Sequence, residues 1–346
     1  MIDPHVHLRD WNGKDKETVL HGLLVARKAG FQAVFDMPNT NPAIVNKSLV
    51  EERLALASAA IDKIGGGISY HLYLGLTKED EQIKEMIDCY NLYFPKCIGL
   101  KMFAGQSTGN MGIVELSDQE KVFKSLAEYN YKGLLAIHAE KESLLRSGEY
   151  IEGQFETHSL ARPPQAEVES IKDIIAIAKR TGYQGRLHIC HVSTAEGIEI
   201  LTKEKLSNPL LTFGVTPHHA LFTSEDAKCH DRYLKMNPPL RSERDRNAVV
   251  QAIMEGKVDW IESDHAPHLL SDKEKGASGI PGFKGMLVLY DYLVKRGVNE
   301  SQLRKLFGEN VCKTFNINIG PITLNKDNKA LKKDLSYAYL FDPYRE

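Results

Sequence analysis

Two histidines one residue apart, His5 and His7, stand near the start of this chain of 346 residues, and their spacing suits metal chemistry. In an extended strand the side chains at i and i+2 point the same way, so the pair offers two imidazoles to one point. Four more residues of compatible chemistry follow at Lys101, His138, His191 and Asp264. Imidazole nitrogen with carboxylate oxygen is a ligand set for zinc, and it serves iron, manganese or cobalt as well. Four histidines and one aspartate overfill a single catalytic ion that must keep an open position, but they can serve two. Two ions need a bridge, and a lysine with a lowered pKa can take up carbon dioxide as a carbamate whose two oxygens reach one ion each. Taken singly, each residue has an ordinary explanation. The histidines can be hydrogen-bonded rim residues, Lys101 can snorkel to the surface, and Asp264 can cap a turn.

Position along the chain separates these readings. Short apolar or β-branched runs alternate with segments of helical period along nearly the whole sequence. Strands are expected near 1–7, 31–37, 69–75, 97–103, 134–138, 186–191, 210–215 and 258–263. Helices are expected near 16–29, 47–63, 79–89, 117–130, 165–181, 194–205, 242–255 and 284–297. Gly30 ends the first helix, Ser117 with Glu120 forms a capping box for the fourth, and Gly182 follows the fifth. Such alternation predicts an α/β fold with a covered parallel sheet, and eight units predict a closed (β/α)8 TIM barrel. An open doubly wound sheet would need a glycine-rich phosphate turn after its first strand, which is missing. Barrel active sites lie at the C-terminal ends of the strands. His5 and His7 end strand one, Lys101 ends strand four, His138 strand five and His191 strand six, and Asp264 follows strand eight, so five strands deliver the set to one rim. The barrel is expected to span 1–316. The lysine-rich segment 317–346 reads as a short C-terminal appendage, a candidate remnant of a small β domain.

Composition narrows the class. With 42% hydrophobic and 26% charged residues the chain reads as a soluble globular protein. A net charge of −2 provides no basic field for nucleic acid or an anionic membrane. The opening MIDPHVHLRD lacks the features of a signal peptide, and no apolar run approaches the ~20 residues of a spanning helix. The five cysteines form no CxxC, which argues against a disulfide framework or a cysteine zinc cluster. The expectation is a cytoplasmic protein acting on a small molecule, with no nucleic acid and no membrane; a homodimer stays open.

Motifs add a specific resemblance. HVHLRD at 5–10, MPNTNP at 37–42, GLKMF at 99–103, IHAE at 137–140 and CHVSTAEG at 190–197 resemble the amidohydrolase superfamily. With VTPHHALFT at 215–223, MNPPLR at 236–241 and SDHAPH at 263–268, the chain resembles the cyclic amidohydrolases of the dihydroorotase family, in order from residue 1 to about residue 285. The resemblance implies reversible hydrolysis of (S)-dihydroorotate to N-carbamoyl-L-aspartate in pyrimidine biosynthesis. It implies two Zn2+ per chain, one held by His5, His7 and Asp264 and the other by His138 and His191, bridged by carboxylated Lys101 and a hydroxide. Asp264 would act as general base and then acid. Arg9, Asn39 and His268 would hold the substrate carboxylate, and Asn237 with the backbone near Ser278 and Gly279 the ring amide edge. Outside this context Arg9 would be a rim salt bridge, and Asn39 and Asn237 turn residues.

Departures and rivals remain. Relatives of this kind carry strands before HxH that pair with the chain's end, so the small β-sandwich is expected to be truncated or absent here. Some bacterial relatives have aspartate at the bridging position, whereas GLKMF has Lys101. The loop 104–112 is a candidate for closure over substrate, and His218 and His219 read as loop structure or a closing contact. A hydantoinase or dihydropyrimidinase acting on an uncharged ring is the alternative, with an allantoinase weaker. Arg9 argues against the hydantoinase reading, since a buried guanidinium without a carboxylate partner gains nothing. A catalytically silent assembly partner would be expected to lose metal ligands, and all six are present.

Overall fold

A computed structural model describes residues 1–107, 111–325 and 327–345. Runs such as LLAIH are short, rich in branched residues and buried on both faces, which suits interior parallel strands covered by helices. Eight of them form one parallel sheet in sequential order: β1 Ile2–Val6, β2 Ala33–Asp36, β3 Ser69–Gly75, β4 Cys97–Phe103, β5 Leu134–His138, β6 Arg186–Ile189, β7 Leu211–Val215 and β8 Trp260–Ile261. Each overlaps its expected place, but β1 ends at Val6 and β6 at Ile189, so His7 and His191 lie just past their strands. The barrel helices are α1 Val19–Lys28, α2 Lys47–Ile64, α3 Asp80–Tyr93, α4 Leu116–Glu128, α5 Pro164–Thr181, α6 Ala195–Lys205, α7 Glu243–Met254 and α8 Phe283–Lys295.

The sheet closes between its first and last strands. Val6 bridges His265 in parallel register, and His7 N donates to His265 O at 2.7 Å. β8 is brief because the chain turns out of the ladder: Ser263 N donates to Asp3 Oδ1 at 3.0 Å, and Asp264 takes a left-handed φ of 49°. The closing contact therefore falls beside candidate site residues.

The helix signals mostly hold. Gly182 caps α5 with φ 69°, and Gly30 follows α1 with φ 87°. The capping box assigned to Ser117 and Glu120 does not form. Helix α4 begins one residue earlier, after Glu115, without a side-chain cap. Its first turn is tied instead by Gln119, whose Nε2 donates to Ala104 O (3.0 Å) and Ile113 O (2.8 Å). Glu120, one turn along, pairs with Arg180 and Lys124 at the surface.

Two further helical turns, Glu300–Arg304 and Asn310–Phe315, went unanticipated and close the N-terminal mouth of the barrel. Phe315 enters the mouth with its ring 5.1 Å from Phe35 and 5.9 Å from Trp260. Past residue 316 the regular element is the helix Lys329–Leu335, and among the described residues there is no strand. Apolar packing fixes this segment: Phe341 and Tyr344 are buried against the barrel.

A buried ion pair sets the turn after β1. Arg53 of α2 is fully buried and binds Asp36 at 2.6 Å while donating to Leu8 O (2.6 Å) and Arg9 O (2.7 Å). Tyr70 donates to the same Asp36 carboxylate at 2.6 Å. Removing one partner strands a buried charge, typically at about 3–5 kcal/mol. Arg53→Met is expected to lower the unfolding free energy by about that amount in urea titration; a loss within experimental error would show the pair to be dispensable.

Candidate functional site

The strand ends bring the candidate residues together. One cavity at the C-terminal rim is lined by His5, His7, Arg9, Asn39, Phe103, Ser107, His138, His191, Asn237, Asp264, Ala266, Ser278 and Gly279. Lys101 and His268 stand just behind this wall. Lys101, fully buried at the end of β4, donates from Nζ to Cys190 Sγ at 3.1 Å and faces the Phe103 ring at 4.9 Å. His268 Nε2 donates to Ser278 O at 2.9 Å, with Arg9 Nη2 3.4 Å from the same nitrogen.

Ligand-capable atoms of His5, His7 and Asp264 lie within 4.8 Å of one another. Asp264 Oδ1 is 3.0 Å from His7 Nε2 and 3.4 Å from His5 Nε2. His7 Nδ1 faces Asn39 Oδ1 at 2.7 Å. An amide oxygen only accepts, so the ring proton of a neutral His7 is on Nδ1, and a bare Nε2 lone pair confronts the Asp264 carboxylate. The other half repeats this logic. His138 Nε2 donates to Glu140 Oε2 at 3.0 Å, which leaves Nδ1 bare and 3.2 Å from His191 Nε2. Burial, then the Lys101 charge, pushes His5 down to about 4, and burial lowers His138 and His191 as well, so these rings are neutral near pH 7. For Asp264, burial raises the pKa while the adjoining His7 and His5 rings lower it, and the balance lies well below the usual carboxylate range.

Electron pairs outnumber protons at this centre. The buried His5 Nδ1 and His191 Nδ1 have no hydrogen-bond partner among the described residues. Neutral imidazoles and an ionised carboxylate, converging with bare nitrogens, fit divalent cations such as zinc.

Carboxylates behind the histidines went unrecognised in the sequence. Glu140, two residues after His138 in IHAE, is buried and clamped by Arg162 at 2.6 Å. Burial would raise its pKa, yet Arg162 and His138 hold it far below the carboxylate range. Glu262, two residues before Asp264, lies inside the barrel and accepts from His191 N, from Trp260 Nε1 at 3.1 Å and from His188 Nε2 at 3.2 Å. Gly214 of β7 makes room for it: a Cβ there would lie 2.8 Å from Glu262 Oε2. Glu140 lies inside IHAE and Glu262 immediately precedes SDHAPH, the one signal that could have found them.

The substrate-side residues also converge. Arg9 is 7% exposed, and its Nε has no hydrogen-bond partner among the described residues. Asn237 Oδ1 is 2.7 Å from His158 Nε2, and its Nδ2 lies 3.4 Å from Ser107 Oγ. His158 opens the short helix His158–Ala161 and carried no sequence signal. Ser278 and Gly279 reach the wall with much of their backbone engaged: Gly279 N donates to Lys235 O at 2.9 Å, and Gly279 O accepts from Lys273 Nζ at 2.8 Å. The loop 104–112 includes 108–110, which lie outside the described residues; among its described residues Ser107 lines the cavity. His218 and His219 fall in the helical turn Pro217–Leu221 and are buried. His219 bonds Thr216 Oγ1 (2.8 Å) and Pro238 O (3.1 Å), a structural role, while the His218 ring senses the Asp264 charge.

Eight parallel strands with a histidine–carboxylate centre at their C-terminal rim define an amidohydrolase-type barrel. The chain aligns with L-hydantoinase from Arthrobacter aurescens at a TM-score of 0.78 and 22% identity, covering 91% of this chain and 70% of that one, a likeness of fold. The Dihydro-orotase-like family model matches residues 1–89. Dihydroorotase of Elusimicrobium minutum is 33% identical over 348 residues, 98% of this chain and 77% of that protein. Dihydroorotase of Thermococcus kodakarensis is 35% identical over 301 residues, 86% of this chain and 63% of that protein. The chain belongs to the dihydroorotase family. It covers less than two thirds of the Thermococcus relative's length, at 63%. No helix among the described residues is long and apolar enough to cross a membrane.

Groups that fix a ligand's ring and tautomer typically change metal affinity 10- to 100-fold when altered. Glu140→Gln is expected to weaken zinc binding about 10- to 100-fold in competition with a chromophoric chelator. Unchanged affinity would show that His138 is oriented without Glu140.

Proposed function

We propose that the chain is a zinc-dependent dihydroorotase, interconverting (S)-dihydroorotate and N-carbamoyl-L-aspartate. The observation that carries this reading is Arg9. Its guanidinium lines the same cavity as the histidine–carboxylate centre, is buried, and has no carboxylate within ion-pair distance among the described residues. Burial lowers its pKa, the sign of a cation paying for desolvation without contact compensation. A planar fork in that position matches a ligand carboxylate. Dihydroorotate carries one, whereas dihydrouracil and hydantoin do not.

In this reading His5, His7 and Asp264 would hold one zinc and His138 and His191 the second, with Lys101 as a carbamate between them. The two ions, when bound, supply Lewis acidity that polarises the ring amide carbonyl and lowers the pKa of the attacking water. A carbamate would also relieve the chain of an ammonium buried among histidines with no carboxylate at ion-pair distance among the described residues. Arg9, with Asn39 and His268 nearby, anchors the substrate carboxylate and thereby sets which face of the ring meets the centre. Asn237, held through Oδ1 by His158, turns its Nδ2 toward the cavity, where a ring carbonyl accepts. Asp264 takes a proton from the attacking water at a carboxylate oxygen and delivers it to the ring nitrogen as the C–N bond breaks.

The test is turnover of dihydroorotate against dihydrouracil and hydantoin, with zinc content measured on the same preparation. About two zincs per chain and preference for dihydroorotate are expected, and a metal-free, inactive chain would overturn the proposal. Truncating one partner of a buried charge pair costs about 2–5 kcal/mol, or roughly 30- to several-thousand-fold. Arg9→Met is expected to lower kcat/KM for dihydroorotate by a factor in that range; intact hydrolysis would refute the carboxylate assignment.

A further inference from the structure

The C-terminal segment reaches the back of the site. Tyr339 donates its hydroxyl to Glu17 Oε1 at 2.7 Å, and Glu17 Oε2 lies 3.1 Å from His265 Nε2. His265 Nδ1 accepts from Gly282 N at 3.0 Å, so the ring proton is on Nε2 and is given to Glu17. The ring is thereby fixed at both nitrogens, and Phe283 stacks on it at 3.8 Å and 11°. Glu17 and His265 are buried at 4% and 0% exposure, so neither nitrogen nor carboxylate can turn to bulk water instead.

His265 is placed to control its neighbours. Its carbonyl closes the barrel by accepting from His7 N, and its amide donates to Ser263 Oγ at 2.9 Å. Between Ser263 and His265 lies Asp264 with φ 49°, a left-handed conformation that is unfavourable for a non-glycine residue and persists only where the surroundings hold it. The same segment reaches both substrate loops. Phe341 and Tyr344 share a buried apolar cluster with Leu234, Met236 and Ile280, which flank Asn237 and the Ser278–Gly279 wall. Gly285 admits the Tyr344 ring, since a Cβ there would lie 2.3 Å from it.

We infer that Tyr339 is a positioning residue and that segment 337–345 is a strap holding Asp264 and the β1–β8 seam through Glu17 and His265. Its activity readout rests on the proposed role of Asp264, but its structural readout does not. Tyr339→Phe in the full chain keeps the ring against His21 and His265 and removes the hydroxyl alone. Amide exchange at 262–266 and at His7 is expected to accelerate about tenfold, the scale of one lost hydrogen bond, with β3 and β4 unchanged. Zinc affinity should fall about 10- to 100-fold, and kcat for dihydroorotate should drop while KM holds. Glu17→Gln should reproduce the same local exchange pattern. Wild-type exchange at 262–266 in either variant, or uniform acceleration across the barrel, would overturn the inference. A chain that holds no zinc would defeat the proposed function, and the exchange measurement would still decide the strap.

Discussion

The structure depends on one backbone hydrogen bond, His7 N to His265 O, which closes the first strand of the barrel onto the last. A parallel barrel has no edge once it is sealed, and sealing joins residues about 260 positions apart in a single contact. Here the closing contact doubles as the geometry of the site. His5 and His7 arrive on β1, Asp264 arrives beside His265, and their ligand atoms meet because the seam is shut. Fold stability and site geometry are thus one constraint at this point, which is where a barrel has the least slack.

The interior pays heavily in polarity for that arrangement. A barrel core is ordinarily filled by branched aliphatic side chains. This one places Glu262, His188, Lys101 and Cys190 beneath the rim, each satisfied by another polar group. Such a network is stable only when nearly complete, because a lone buried charge costs far more than a paired one gains. The unpartnered atoms are therefore informative. His5, His191 and Arg9, each with one buried nitrogen that has no hydrogen-bond partner among the described residues, line the cavity, while Glu140, Glu262 and Asp36 hold the supporting side chains.

The sequence displayed the strands, the helices and the rim residues because those signals are local. A two-residue spacing on a strand fixes a shared direction, and strand ends in a barrel share a rim, so His5, His7, His138, His191 and Asp264 followed from order alone. What stayed hidden depends on long-range packing. Helix α4 starts early because Gln119 reaches back to a loop, which no capping pattern reveals. The plug at Phe315 and the docking of Tyr339, Phe341 and Tyr344 require knowing which apolar mouths the barrel leaves open. Arg53 reads as an ordinary helix-surface cation, and only Asp36 on the neighbouring strand, facing inward, turns it into a core residue.

That pairing gives the HVHLRD segment its logic. Arg53 holds the carbonyls of Leu8 and Arg9, so the turn after β1 is set by a buried charge from α2. Two residues earlier, His7 is set by the seam. The histidine pair and the guanidinium of one short peptide are fixed by different parts of the barrel, at a separation dictated by the strand itself. On the proposed reading, a ring that bridges them would carry its carboxylate at a matching distance from its scissile amide. On the same reading, selection for a carboxylated ring would follow from the rigidity of these five consecutive residues, His5 to Arg9.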